Sequence, residues 1–466
     1  MQAINNLRSS RIGLGSITAA ASVWLTGTAV AQFQLPDLEV DFNPAVMFPV
    51  LDSMPRGLDS GDLNADGNPD VAVVSGDPLF LGNGISGAVT VFLNSGDWSN
   101  PAQGFDTPLK LDFSDLPGTP LGQELVIARI DGDIHPDIAV TVHNKNESSP
   151  YGWVIVYLNR LNDGSPTTDF DRTVYPVINK RKLHGIVARD FTSDGFNDLA
   201  IAGSDKTDPA NITALLLTME NDGSGTFGTM AEIPLPGVTG SAWDVAAGRF
   251  DLDQTKPDLA TANNSHNSIT QLKSDGSGGF TATTFPGPSS PPFFDYIDIA
   301  AGKLNGDAYL DLALPEFDCG VGSRGGVGVH RVDPITGDFV HERPNGEDSG
   351  DHYDTGAVAS VAVAIANVNG GTNKRDVIVA LSGDDGGHFD RIDVIIGNGD
   401  GTLVRGANGS AELHEFDPSP ESNDILDIDS VITVDLNQDG LRDIITSNTA
   451  TDSISVLINS SHPPAA

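Results

Sequence analysis

The chain has 466 residues, a formal charge of −39, 52 glycines, 29 prolines and one cysteine. A surface so acidic repels nucleic-acid phosphates and anionic headgroups, and no basic patch offsets it, which excludes nucleic acid as a partner. Cys319 has no second thiol to pair with and reads as a small buried apolar residue.

Residues 1–31 read as a secretory signal peptide. Arg8 and Arg11 precede an uncharged, Ala-rich segment from Ile12 to Val30, and Ala29-Val30-Ala31 places small residues before Gln32. The segment approaches spanning length, which makes an uncleaved anchor the alternative, but its Ser, Thr and Gly content suits a membrane poorly. Cleavage near Ala31-Gln32 predicts a secreted protein, extracellular or periplasmic, without membrane insertion of the mature chain. Residues 32–462 then form one repeat array, and 463–466 a short tail.

The first repeat centres on Asp62-Leu63-Asn64-Ala65-Asp66-Gly67-Asn68-Pro69-Asp70, with oxygen side chains at positions 1, 3, 5 and 9 of a tight turn. The pattern returns in full at 190–198 and 435–443, and in weaker form at 129–137, 249–258, 303–311 and 367–376. An EF-hand is excluded, because its twelfth position needs a bidentate Glu and here holds Val73, Ile201 and Thr446. The closing Asp residues, Asp70, Asp137, Asp198, Asp258, Asp311, Asp376 and Asp443, recur at a spacing of about 62 residues, the length of a four-stranded repeat.

Each unit keeps one internal order. An apolar strand enters the loop (Val245 to Gly248) and a second leaves it (Asp258 to Thr261). A third follows a turn (Val154 to Leu158), and a Gly-rich turn then ends in an aromatic or Leu that opens a fourth. That residue is Phe105, Phe170, Phe227, Phe280, Phe339 and Leu403 in the first six units. The strands are continuous apolar runs, as expected when both faces are covered. Four strands repeated seven times predict an all-β, seven-bladed β-propeller. The seventh unit stops near Asn459 without a fourth strand, while Phe42 lies where a preceding unit would have put one. Asp41 to Val50 is therefore expected to complete the last blade and remove the exposed sheet edge.

These loops and their flanking strands resemble the FG-GAP (VCBS-type) repeats of integrin α-subunit propellers and of many secreted bacterial proteins, over roughly residues 42–459. The Gly-Ala-Pro triplets of the integrin version are not evident, Ala313-Leu314-Pro315 being the nearest. Some proteins with this repeat are binding or adhesion modules and others act on polysaccharides.

The loop oxygens suit calcium, a hard cation that takes six to eight of them. One expected site is Asp62, Asn64, Asp66, the Asn68 carbonyl and Asp70. A second is Asp190, Thr192, Asp194, the Phe196 carbonyl and Asp198. The third is Asp435, Asn437, Asp439, the Leu441 carbonyl and Asp443. Three carboxylates in so small a loop repel one another without a cation, so these sites are expected to be structural. Position 1 is Arg129, Arg249 or Lys303 in the second, fourth and fifth units, where a tethered cation is expected to pair with the remaining carboxylates instead of a metal.

If the loops mark one rim, the starts of the innermost strands face the other rim around the axis. Counting five and six residues back from loop position 1 gives Arg56, Gln123, Glu124, His184, Trp243, Asp244, Asp298 and Asp429. Such a ring could stack and hydrogen-bond a sugar or receive a protein loop. There is no HExxH, G-x-S-x-G or phosphate-binding loop. The first expectation is a non-catalytic, calcium-stabilised module for a glycan or a surface protein. A polysaccharide lyase or hydrolase and a structural envelope or matrix component are the alternatives. A deep axial pocket with converging carboxylates and His184 favours the enzyme, and a shallow rim with exposed Trp243 favours the binder.

Overall fold

Apolar runs bounded by Gly- and Asp-rich turns become antiparallel sheets. The structure is a computed structural model. It describes residues 39–461 apart from 77–86, 146–148, 162–168, 180, 254, 265–267, 287–293, 319–324, 341–351, 356–358, 371–373, 384–389, 406–411 and 421–425. The expected signal peptide (residues 1–31), Cys319 and the tail 463–466 lie outside the described residues. Among those residues the one helix is a single 3-10 turn, Pro101–Gln103, and no helix is long and apolar enough to cross a membrane.

Seven four-stranded blades form a ring. Blade 1 runs from the axis outward as Pro55–Gly61, Asp70–Ser75, Ala88–Phe92 and Leu109–Asp112. Blades 2, 3 and 4 repeat this order from Pro120–Ala128, Arg181–Arg189 and Ser241–Gly248. In blade 5 the innermost strand is split into Phe294–Tyr296 and Ala300–Gly302, and two short strands, Phe339–Val340 and His352–Asp354, pair with its third strand. Blade 6 starts at Ala359–Ala366 and blade 7 at Ile428–Val434.

The ring closes as the sequence predicts. Val46–Pro49 pairs antiparallel with Ser453–Leu457 and supplies the outer strand of blade 7, with Phe42 opposite Asn459. The residue that opens the fourth strand sits in the same place in blades 1, 3 and 6, Phe105 opposite Asn94, Phe227 opposite Asn221 and Leu403 opposite Gly397.

The core lies between blades. Every residue of Asp70–Ser75, Asp137–Asn144 and Gly152–Asn159 is buried, because each sheet is covered on both faces. Val74 and Val91 of blade 1 pack with Leu125 and Val140 of blade 2, and Phe48, Val434 and Ile454 of blade 7 pack with Phe92 of blade 1. Each such side chain contributes about 1.5–3 kcal/mol on burial, so the interfaces carry most of the ring's stability.

Asparagines stitch the blades together. Asn94 Nδ2 donates to Leu436 O of blade 7, Asn159 Nδ2 to Leu63 O of blade 1 and Asn221 Nδ2 to Ile130 O of blade 2. Asn459 Nδ2 of blade 7 donates to Val368 O of blade 6. In each case the acceptor is the carbonyl of position 2 in the preceding blade's loop. The side chain of that position is wholly buried, so its carbonyl has little access to water and needs this partner.

Candidate functional site

The loops and the axis hold the two groups of residues singled out by the sequence. Each loop joins the first and second strands of its blade, so all seven lie at one end of the ring. The three full loops share one backbone, left-handed at a non-glycine in position 4 and at Gly in position 6. These are Ala65 and Gly67, Ser193 and Gly195, and Gln438 and Gly440. The shared conformation turns alternate side chains inward. Asp62 accepts from the Asp66 and Gly67 amides, and Asp66 accepts from Asn68 N; Asp190 and Asp435 repeat the first of these patterns.

The closing Asp ties its loop to the rest of the blade. Asp70 Oδ2 accepts from Leu63 N and Asn64 N, and its Oδ1 from Asn94 N on the third strand. Asp137, Asp198 and Asp443 make the same bonds to position 2 of their loop and to the third strand, and so do Asp258 and Asp376 in degenerate loops. It is a staple common to full and degenerate loops. Burial raises Asp70 and Asp443 to about 7 despite these amide bonds.

The donor set of the three full loops fits a hard cation: carboxylates, an amide or hydroxyl oxygen, and a backbone carbonyl. The side chains, however, are turned to the loop's own amides, and among the described residues no three acidic, His or Cys groups gather at one point.

The degenerate loops do not use their position-1 cations as expected. Among the described ion pairs, Asp131 is held by Arg160, from the end of the third strand, and Asp253 by Lys256, 3.3 Å away. Arg129, Arg249 and Lys303 take part in none of them, and all three are exposed.

At the opposite end, all eight predicted axial residues line one cavity of about 450 Å³. Every blade contributes, and Asp427, Ser382 and Gly383 are among the other lining residues. One feature of the register explains the convergence. In each blade the innermost strand carries one extra residue against the second strand at this level. The register slips between Pro55 and Leu58, Gly122 and Glu124, Leu183 and Ile186, Ala242 and Asp244, Ser360 and Ala362, and Ile428 and Ser430. Blade 5 breaks at the same level, between Tyr296 and Ala300. In a regular strand, neighbouring side chains point to opposite faces; a bulge re-aims one of them. That is how Gln123 and Glu124, or Trp243 and Asp244, can both face the axis.

The acids are seated across neighbouring blades. A Cβ on Gly57 of blade 1 would fall 1.8 Å from Glu124 Oε1, and one on Gly185 of blade 3 would fall 1.8 Å from Asp244 Oδ1. Only glycine leaves those seats open. Asp298 accepts from its own Ile299 N at 2.8 Å and from Val363 N of blade 6 at 2.7 Å. Just off the axis, Asp59 likewise reaches Ile127 N of blade 2 at 2.8 Å.

Electrostatics at the axis follow from burial and like charge. Burial, then the Asp298 charge, pushes Asp244 well above the usual carboxylate range. Burial raises Asp298 as well, but the Ile299 and Val363 amides that it accepts from favour its ionised form and oppose the rise. Burial also raises Glu124 and Asp429, the latter opposed by Arg56 3.9 Å away. His184 is driven well below its ordinary value by burial and then by Lys182, so its imidazole is neutral. It stacks on Trp243 at 4.4 Å between ring centroids, with the Lys182 ammonium 5.1 Å from the indole.

Fold and site together define a seven-bladed β-propeller with an acidic axial cavity. No protein-family description matches the chain, and no curated protein matches it in sequence. Among solved structures it is similar to BBS1N in a mercury-soaked crystal of its complex with ARL6DN, at 12% identity and a TM-score of 0.48, over 91% of this chain and 98% of that one. The lead-soaked crystal of that complex gives 12% identity and a TM-score of 0.45 over the same shares.

Proposed function

We propose that the protein is an exported binding module of the FG-GAP type, stiffened by calcium in three loops, which takes a glycan or a loop of a surface protein into its axial cavity. The convergence of all seven blades on one polar cavity carries this reading. Recognition groups fixed by neighbouring backbones are pre-organised, which lowers the entropic cost of binding. The test is to incubate residues 32–466 in millimolar calcium with a panel of polysaccharides, reading retention and chain cleavage together. Retention without cleavage, lost on Trp243→Ala, supports the module. Neither retention nor cleavage turns the search to protein partners.

Calcium belongs to the same proposal. Asp62, Asn64, Asp66, the Asn68 carbonyl and Asp70, with their counterparts in blades 3 and 7 closed by Asp198 and Asp443, would hold it, and its charge would offset three carboxylates per loop. Metal analysis is expected to find three ions per chain, and five or more would refute the assignment.

A second reading, a polysaccharide-active enzyme, is favoured by one observation. Carboxyl groups of Glu124, Asp244 and Asp298 converge with buried His184 in one axial cavity, the arrangement expected of the enzyme. Against it, Asp298 is already occupied by two amides. Cleavage of any polysaccharide in the same panel, abolished by Asp244→Asn, would establish the enzyme.

A further inference from the structure

Five acidic side chains and one guanidinium line the axial cavity: Glu124, Asp244, Asp298, Asp427 and Asp429 against Arg56. Acids alone would say little in so acidic a chain. His184 is an independent observation: it is 3% exposed, lines the same cavity, and its Nε2 has no hydrogen-bond partner among the described residues. A buried imidazole nitrogen left unpaired costs about 1–3 kcal/mol, which a ligand N–H or O–H would recover.

We propose that the axial cavity binds a primary ammonium group, carried by an amino sugar or a linear polyamine. The inference rests on the binding reading above and narrows its ligand. A bare metal ion fits less well, since the cavity is far larger than an ion. A guanidinium is flat and prefers one coplanar carboxylate. Here Glu124, Asp244, Asp298 and Asp429 come from blades 2, 4, 5 and 7, so acceptors surround the axis. A tetrahedral ammonium can donate in several of those directions at once. Trp243 adds an aromatic surface suited to a sugar ring or to the methylenes of a polyamine.

The experiment is calorimetric titration of the calcium-loaded chain with four probes: a glucosamine tetramer, its fully N-acetylated counterpart, spermidine and magnesium. Binding of the glucosamine tetramer or of spermidine, at least tenfold tighter than the N-acetylated tetramer and weakened about tenfold or more by Glu124→Gln, supports the proposal. Whichever amine binds names the source. Asp429→Asn provides a second variant should Glu124→Gln fail to fold. Equal affinity for the N-acetylated tetramer overturns the ammonium assignment while leaving the binding module standing. Amine binding that is indifferent to both variants overturns the cavity as its site, and binding of magnesium alone, or of no probe, overturns the proposal.

Discussion

Replacing Asn221 by alanine should loosen the ring between blades 2 and 3 by a calculable amount. Its Nδ2 donates to Ile130 O at 2.6 Å and to Asn197 O at 2.9 Å, and its Oδ1 accepts from Gly223 N at 3.1 Å. Truncation leaves at least the two carbonyls without their donor, and a buried polar group left unpaired costs about 1–3 kcal/mol. The expected loss is about 2–5 kcal/mol, reduced if a water enters the gap. For a unit of roughly 420 residues the unfolding entropy is about 0.9 kcal/mol per degree, so Tm should fall by about 2–6 °C. Differential scanning calorimetry at fixed calcium measures the shift, and hydrogen exchange at Gly223 should accelerate locally. A Tm change below one degree with unchanged exchange would refute the idea that these asparagines hold the blades together.

Three further outcomes follow from the geometry. Asp59 is raised to about 6 by burial, against the pull of the Ile127 and Ser60 amides and of Arg189. The unfolded chain therefore gives up this proton first, and stability from Asp59 is complete below pH 4 and declines as pH rises through 6, by at most about 3 kcal/mol. Asp59→Asn should flatten that part of the pH–Tm curve relative to the parent, and an unchanged slope would contradict the burial argument. Gly57→Ala should weaken ligand retention with little change in Tm, because only the end of Glu124 must move; Gly185→Ala should also lower Tm, since its Cβ would meet Asp244 Cα at 2.8 Å. Chelation of calcium should lower Tm, each site contributing about 2.7 kcal/mol at hundredfold excess over Kd, and Asp62→Ala should reduce the effect while Arg129→Ala leaves it unchanged.

The fold was legible because its signals are local and recur seven times. Closing Asp residues, apolar runs and the Phe that opens each fourth strand set the repeat, and the orphan Phe42 announced ring closure. The axial columns could be counted from the loops for the same reason. What sequence could not show was why two adjacent columns face inward, since the bulge exists only in the pairing of the first strand with the second. Asp427, Ser382 and Gly383 were missed because they lie outside the counted columns. The role of the closing Asp as a staple was hidden because its partners, Asn94 or Ser274, lie a strand and a turn away. The one cue was that it persists in loops whose first position is no longer an acid. Arg129 misled because sequence proximity to Asp131 says nothing of direction, whereas Arg160 arrives from the third strand.

The closure of blade 7 sets an order on folding. Blades 1 to 4 pair strands that are neighbours in sequence and can form as the chain emerges. Blade 7 needs Asp41 and Ser461, 420 residues apart, to meet. Until they do, Ser453–Leu457 is an open edge and the apolar faces of Val434 and Ile454 lack Phe48 and Phe92. The last interface to form is also the one that protects every other, so a nascent or truncated chain carries an adhesive seam that the finished ring conceals.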